Sequence, residues 1–268
     1  MQANPAHTFI NTKAYPILDF NEDPNKAKIE SWKRELRQTG ACVLEGFLTP
    51  EATAYFVEES TKLIPVSFWN ELTGNAYLDN IDETLAPNHA RRLTDTTALS
   101  VIAYDQFPKN QGLRQLYDWQ AMTDFIAAIV GRGPLFHYGC PFGALNVSVM
   151  KDNDYLRWHF DQSDFVVSIP LQDSESGGEF EFVRHIRSKD AENYDDVAAI
   201  LRGGTKNVER MRMPPGSLIL FEGRYTLHRV TRIKGQTPRL IALLSYDTKP
   251  DTDSSDYLKM IRYGRLAK

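Results

Sequence analysis

The sequence predicts an α+β protein with a mainly β core, in which a helical first half buttresses a small β-barrel or double-sheet jelly roll built from the second half. Two observations carry this. Apolar residues recur at helical period before about residue 135 and alternate with polar ones after it, and turn residues punctuate the second half at hairpin spacing. The length of 268 residues, 42% of them hydrophobic and 25% charged, is that of an ordinary globular chain with room for one sizeable domain or two small ones.

After Pro24, Ile29, Trp32 and Leu36 recur at helical spacing and stop at Gly40, which suits the left-handed position that closes a helix. Ala41 to Leu44 is a short apolar run before the turn at Gly46. Thr49-Pro50-Glu51 then supplies an N-cap, a first-turn proline and an acid at the positive end of the helix dipole, opening a helix to about Leu63. Asn70 to Thr97 has little periodicity and much Asn, Asp, Thr and Pro, so it reads as a long loop with the character of a lid. Helical period returns over Leu113 to Val130 and ends at Gly131 and Gly133. Strands are expected at Leu145 to Val149, within Phe165 to Leu171, and at Glu179 to Val183, Ser217 to Phe221 and Arg239 to Ser245, with one helix at Asn193 to Leu201. The whole is expected to be a single domain: 1–135 mostly helical support and lid, 136–248 the β core, 249–268 a C-terminal extension.

Composition excludes several classes. With 31 basic and 35 acidic residues the formal net charge is 31 − 35 = −4, and no stretch concentrates the cations that a nucleic acid requires. Cys42 and Cys140 are too few and too far apart for a disulfide framework or a thiolate zinc site, which suggests a reducing, cytoplasmic setting. The N-terminal stretch lacks the pattern of a secretory signal, and no apolar run is long enough to span a membrane.

The informative residues are His159, Asp161 and His228. If they lie on a strand, His159 and Asp161 share a face and present an imidazole and a carboxylate together. A second imidazole 69 residues later would complete two nitrogens and one oxygen on one side of a metal, a set suited to octahedral iron(II) with open positions and poor for structural zinc. A His-x-Asp pair also occurs by chance, so the argument needs Arg239, which opens the next predicted strand. A guanidinium turned into an apolar barrel is costly unless an anion pairs with it, and its planar fork suits a carboxylate.

His159-x-Asp161, His228 and Arg239, in that order, together with Gly177-Gly178-Glu179-Phe180 and Pro215 to Phe221, resemble the iron(II)/2-oxoglutarate-dependent oxygenases over about Phe136 to Asp247. The resemblance implies a double-stranded β-helix (jelly roll, cupin-like) core, with His159, Asp161 and His228 as iron ligands and Arg239 paired with the distal carboxylate of 2-oxoglutarate. Iron(II) is then the expected cofactor, with 2-oxoglutarate and O2 as co-substrates, 2-oxoglutarate leaving as succinate and CO2 and one oxygen atom of O2 entering the hydroxylated product. The wording of Trp158 to Ser168, Gly177 to Ser188 and Leu227 to Thr248 is similar to the branch of free-amino-acid radical halogenases and hydroxylases, several of which act on lysine. In the halogenases the metal-binding acid is a glycine, which leaves a position for chloride. Asp161 occupies it here, so the resemblance implies hydroxylation of a free amino acid, with L-lysine the first choice.

Asn146 and Ser148 share a strand face and are candidates for binding 2-oxoglutarate, while an outward, solvated face is the competing reading. Asp164, Glu179 and His137 are candidate substrate contacts, the two acids for a cationic side chain and His137 from beside the Gly139-Cys140-Pro141 turn. Trp158 and Phe160 flank His159 and are expected to pack away from the metal. A small-molecule partner is expected, with no nucleic acid and no membrane, and a homodimer is left open. Hydroxylation of another small metabolite, a barrel that binds without turnover, and a zinc hydrolase are the rivals. The last would give Arg239 no role.

Overall fold

The computed structural model describes residues 5–267. In chain order the elements are α1 (Asn25–Thr39), β1 (Ala41–Leu44), α2 (Pro50–Leu63), β2 (Phe68–Asn75), β3 (Thr94–Ala103), α3 (Gly112–Tyr117), α4 (Gln120–Val130) and β4 (Phe136–His137). There follow β5 (Leu145–Met150), β6 (Leu156–His159), β7 (Val166–Gln172), β8 (Phe180–Val183), α5 (Tyr194–Leu201), β9 (Glu209–Met211), β10 (Leu218–Phe221), β11 (Leu227–Val230), β12 (Arg239–Leu244), β13 (Tyr246–Asp247) and α6 (Asp256–Tyr263).

A major sheet has the order β1-β10-β7-β12-β5-β3-β2, and a minor sheet the order β6-β11-β8-β9. From β5 to β8 successive strands fall alternately in the major and minor sheets, and β10, β11 and β12 alternate again. The chain therefore winds between two antiparallel sheets, as a double-stranded β-helix does. Strand alternation sorts the side chains. Leu145, Val147 and Val149 of β5, with Leu240, Ala242 and Leu244 of β12, join the helix-facing core built around Ile29, Leu36, Phe56, Phe125 and Ile129. The opposite strand face, carrying Asn146, Ser148, Met150, Arg239 and Ile241, looks into the barrel. There Met150 clusters with Phe180, Phe182, Phe221, Val230 and Ile233.

The helix termini follow the local chemistry. Thr49 accepts a hydrogen bond from Ala52 N at the start of α2, and Gly40 closes α1 at φ 73°. Phe125 of α4 is fully buried, with ring contacts to Phe20, Trp32 and Phe47. Phe125→Ala is expected to cost about 3–5 kcal/mol of stability, read as a lowered urea midpoint at unchanged slope.

The segment Asn70 to Thr97, expected to be a loop throughout, is corrected by β2 and β3, which pair from Phe68↔Val101 to Asn75↔Thr94 and leave only residues 76–93 as loop. Thus β1, β2 and β3, all from the helical half, extend the major sheet. The expected helix Leu113 to Val130 is broken at Asp118 and Trp119, where extended Trp119 turns into the core. In the C-terminal extension α6 packs on β2, and Ile261 O accepts from Asn70 Nδ2 at 2.6 Å. Among the described residues no helix is long and apolar enough to cross a membrane.

Candidate metal centre

His159 closes β6 and pairs directly with His228 of β11, so both imidazoles project from one face of the minor sheet into the barrel, ring centroids 4.1 Å apart. Each ring is oriented by the carbonyl two residues before it. His159 Nδ1 donates to Arg157 O and His228 Nδ1 donates to Thr226 O, both at 2.9 Å. With Nδ1 carrying the proton, each Nε2 keeps its lone pair for a metal. Burial, and then the neighbouring His228, holds His159 well below the ordinary imidazole pKa, which favours the neutral form a ligand needs. Phe180 stacks on the His228 ring and Phe221 meets it edge-on, at 5.5 and 5.0 Å between centroids.

Asp161 reaches the pair from beyond the strand. The expectation that it shares a strand face with His159 is corrected: β6 ends at His159, and the next residues pair elsewhere, Phe160 N with Ala76 O at 2.8 Å and Asp161 N with Gly223 O at 3.1 Å. The geometry still brings Asp161 Oδ1 to 3.7 Å from His159 Nε2 and Oδ2 to 3.4 Å from His228 Nε2. One ligand atom from each of the three residues lies within 4.8 Å of the others. Two imidazoles and one carboxylate converging from one side, with no further His, Cys, Asp or Glu in the cluster among the described residues, fit iron(II) bound as a facial triad.

Arg239 of β12 is 5% exposed, and no carboxylate among the described residues forms a salt bridge with it; its Nη2 donates to Met213 Sδ at 3.4 Å. Burial pushes its pKa down to about 10, with the charge of Asp173 pulling the other way, so it remains a cation at neutral pH. A buried guanidinium whose hydrogen-bond partner among the described residues is a thioether has the chemistry to receive an anion. The chain passes close over its stem at Gly178 (φ 68°), where a Cβ would stand 2.9 Å from Arg239 Cδ and 2.8 Å from Ile233 Cδ1. That close approach accounts for the second glycine of Gly177-Gly178.

Asn146 and Ser148 face the barrel interior, opposite the helix-packed Leu145, Val147 and Val149. Asn146 Oδ1 is buried with no hydrogen-bond partner among the described residues, leaving an acceptor for a ligand donor or a water. Trp158 and Phe160 pack outside the minor sheet, as expected, with Arg229 and Arg187 over their rings.

Each of the three candidate substrate contacts has protein partners of its own. Asp164 is ion-paired with both Arg132 and Arg224, which hold its pKa below the usual range against the burial that would raise it, so its charge is already engaged. Glu179 lies on the side of β8 opposite Phe180 and Phe182, outside the barrel, paired with Arg210 at 3.1 Å. His137 shares its Nε2 between Tyr117 O at 2.9 Å and Thr123 Oγ1 at 3.1 Å, tying β4 to the helices.

Two residues were missed. Arg157, 5% exposed, sends Nη1 to Leu72 O at 3.1 Å and Thr97 Oγ1 at 3.0 Å, leaves Nε buried without a partner, and acts electrostatically on His159. Its place in Arg157-x-His159-x-Asp161 was the available signal. Gly223, behind the Asp161 carboxylate, gave none.

Comparison with known proteins agrees with this geometry. A family model described as Halogenase D matches residues 24–260, while a search of curated proteins finds no match. Among solved structures, the chain is similar to an oxidoreductase of the 2OG-Fe(II) oxygenase family from Burkholderia pseudomallei, at 15% identity over 84% of this chain and 92% of that one, TM-score 0.53. It is similar to the epimerase SnoN in complex with Fe3+, alpha ketoglutarate and nogalamycin RO, at 18% identity over 82% and 84%, TM-score 0.57. A prolyl hydroxylase from Trichoplax adhaerens matches at 14% identity over 85% and 94%, TM-score 0.53. At these identities the structural likeness establishes the fold. The family match covers most of the chain, and the protein therefore belongs to the Halogenase D family.

Proposed function

We propose that the protein hydroxylates an unactivated C–H bond of a free amino acid, with L-lysine the first substrate to test, consuming 2-oxoglutarate and O2 and releasing succinate and CO2. The observation that carries hydroxylation is Asp161. Its carboxylate stands between the two Nε2 atoms, at 3.7 and 3.4 Å, in the position that must be empty for a halide to bind beside the imidazoles. Iron(II) bound there would supply the oxygen activation that is coupled to oxidative decarboxylation of 2-oxoglutarate.

The chain's own residues do the rest. His159 and His228 donate Nε2, fixed by their carbonyl-bound Nδ1. Arg239 takes the distal carboxylate of 2-oxoglutarate, with Asn146 and Ser148 on the same inner sheet face. Phe180 and Phe221 keep the His228 side of the centre dry. Arg157, a buried cation close to His159 and without a salt-bridged carboxylate among the described residues, suits the α-carboxylate of a free amino acid. With Asp164 and Glu179 engaged elsewhere, this carboxylate receptor supports a free amino acid of any side chain, and the choice of lysine rests on the family resemblance.

The test is mass spectrometry of lysine, ornithine, arginine, leucine and methionine incubated together with the protein, iron(II), 2-oxoglutarate and O2 in chloride buffer. Expected is a product of one amino acid carrying one added oxygen, with lysine preferred. Chlorinated product would overturn the hydroxylase reading, and preference for leucine or methionine would overturn the cationic substrate alone. Binding of 2-oxoglutarate without succinate formation would favour a barrel that binds without turnover.

A further inference from the structure

The two histidines of the centre are each held by a hydrogen bond from the ring, but the Asp161 carboxylate has no such anchor. Among the described residues its oxygens accept no hydrogen bond, and apart from its contacts with the imidazoles only its backbone is tied, through Asp161 N to Gly223 O at 3.1 Å. What confines the carboxylate is the wall behind it. That wall is Gly223, buried in the turn between β10 and β11.

A Cβ placed on Gly223 would fall 1.6 Å from Asp161 Oδ2, 2.6 Å from its Cγ and 3.0 Å from its Cβ, and no other group comes among its three nearest atoms. Unlike Gly40 or Gly178, Gly223 does not have a positive φ, so φ places no demand for glycine at this position. The glycine is required by the space the carboxylate fills and not by the turn. We propose that Gly223 is a positioning residue for Asp161, its missing side chain forming the slot in which the carboxylate sits beside the imidazoles. This rests on the reading of His159, Asp161 and His228 as a metal centre.

A side chain at 223 turns Asp161 away from the imidazoles and leaves two protein ligands, although both the histidines and the aspartate are still encoded. Residue 223 then decides, together with residue 161, whether the third protein position on the metal is filled. A methyl group in this slot would reproduce at the metal the effect of removing the acid.

The experiment is a set of Mn(II) and Co(II) titrations under anaerobic conditions on the full chain and on Gly223→Ala, Asp161→Gly and the double variant, with melting of each metal-free protein as the fold control. Gly223→Ala is expected to weaken Mn(II) binding by about 10-fold or more, on the scale of losing a group that orients a ligand. It should also shift the Co(II) absorption toward that of Asp161→Gly. The double variant should bind no more weakly than Asp161→Gly, since the methyl acts only through the carboxylate. Parent-like Mn(II) affinity in Gly223→Ala, or a double variant weakened by the product of the two single effects, overturns the proposal. If Gly223→Ala melts early, adding Asp161→Gly should restore its melting temperature by removing the clash, and failure to restore it overturns the proposal as well. A parent protein that binds neither metal would sink the metal-centre reading instead, while the melting comparison still reports on the 161–223 contact.

Discussion

Alanine in place of His159 or of His228 is expected to abolish iron-dependent succinate formation while leaving a cooperatively melting protein. Each substitution removes one of three donors and an Nδ1 hydrogen bond to a backbone carbonyl of 2.9 Å. Loss of a ligand should exceed the roughly 10–100-fold fall in metal affinity typical of losing an outer partner. The fold should tolerate it, because the imidazoles lie at the inner end of a barrel whose larger core is the helix-covered face of the major sheet. Leaving Arg157 O or Thr226 O without its donor costs about 1–3 kcal/mol, which is destabilising but well short of the whole stability of a domain. Chelation should likewise silence the parent protein, and added iron(II) should restore it. Unchanged succinate formation in either histidine variant would remove the metal assignment.

Arg239→Ala is expected to raise the half-saturating 2-oxoglutarate concentration by on the order of 100-fold or more and nearly to remove turnover, since two charge-assisted hydrogen bonds at ~1.5–3 kcal/mol each are lost. Arg239→Lys should fall between, keeping the charge and losing the fork. The substitution also removes a buried cation whose hydrogen-bond partner among the described residues is Met213 Sδ, so the desolvation cost of the guanidinium disappears with its packing and the ligand-free protein should remain folded. An Arg239→Ala protein that saturates normally with 2-oxoglutarate would show that the anion sits elsewhere.

The amino-acid order alone contained the two-part organisation, the caps at Thr49 and Gly40, the strands whose one face is buried against helices, and the identities of His159, Asp161, His228 and Arg239. These were legible because each depends on local periodicity, on capping chemistry, or on a residue type whose burial demands a partner. Phe68 to Asn75 and Thr94 to Ala103 were not legible as strands. β2 is the edge of the major sheet and β3 joins it to β5, and α6 packs on both from far along the chain, nearly two hundred residues away in the case of Asn70 and Ile261. Edge strands are specified by their neighbours more than by their own propensity.

The same distinction holds inside the site. Sequence spacing nominated Asp164, Glu179 and His137, but it carries no information about which guanidinium or carbonyl already holds a polar group. Tertiary packing gave Asp164 to Arg132 and Arg224, Glu179 to Arg210, and His137 to Tyr117 and Thr123. It also left Arg157 Nε without a partner and brought the bare backbone of Gly223 against the Asp161 carboxylate. The sequence by itself determined the ligand types and the order in which the strands deliver them. Only the folded chain decided where Asp161 stands and which charges remain free, because hydrogen-bond saturation and steric exclusion arise between segments that meet only when both sheets close.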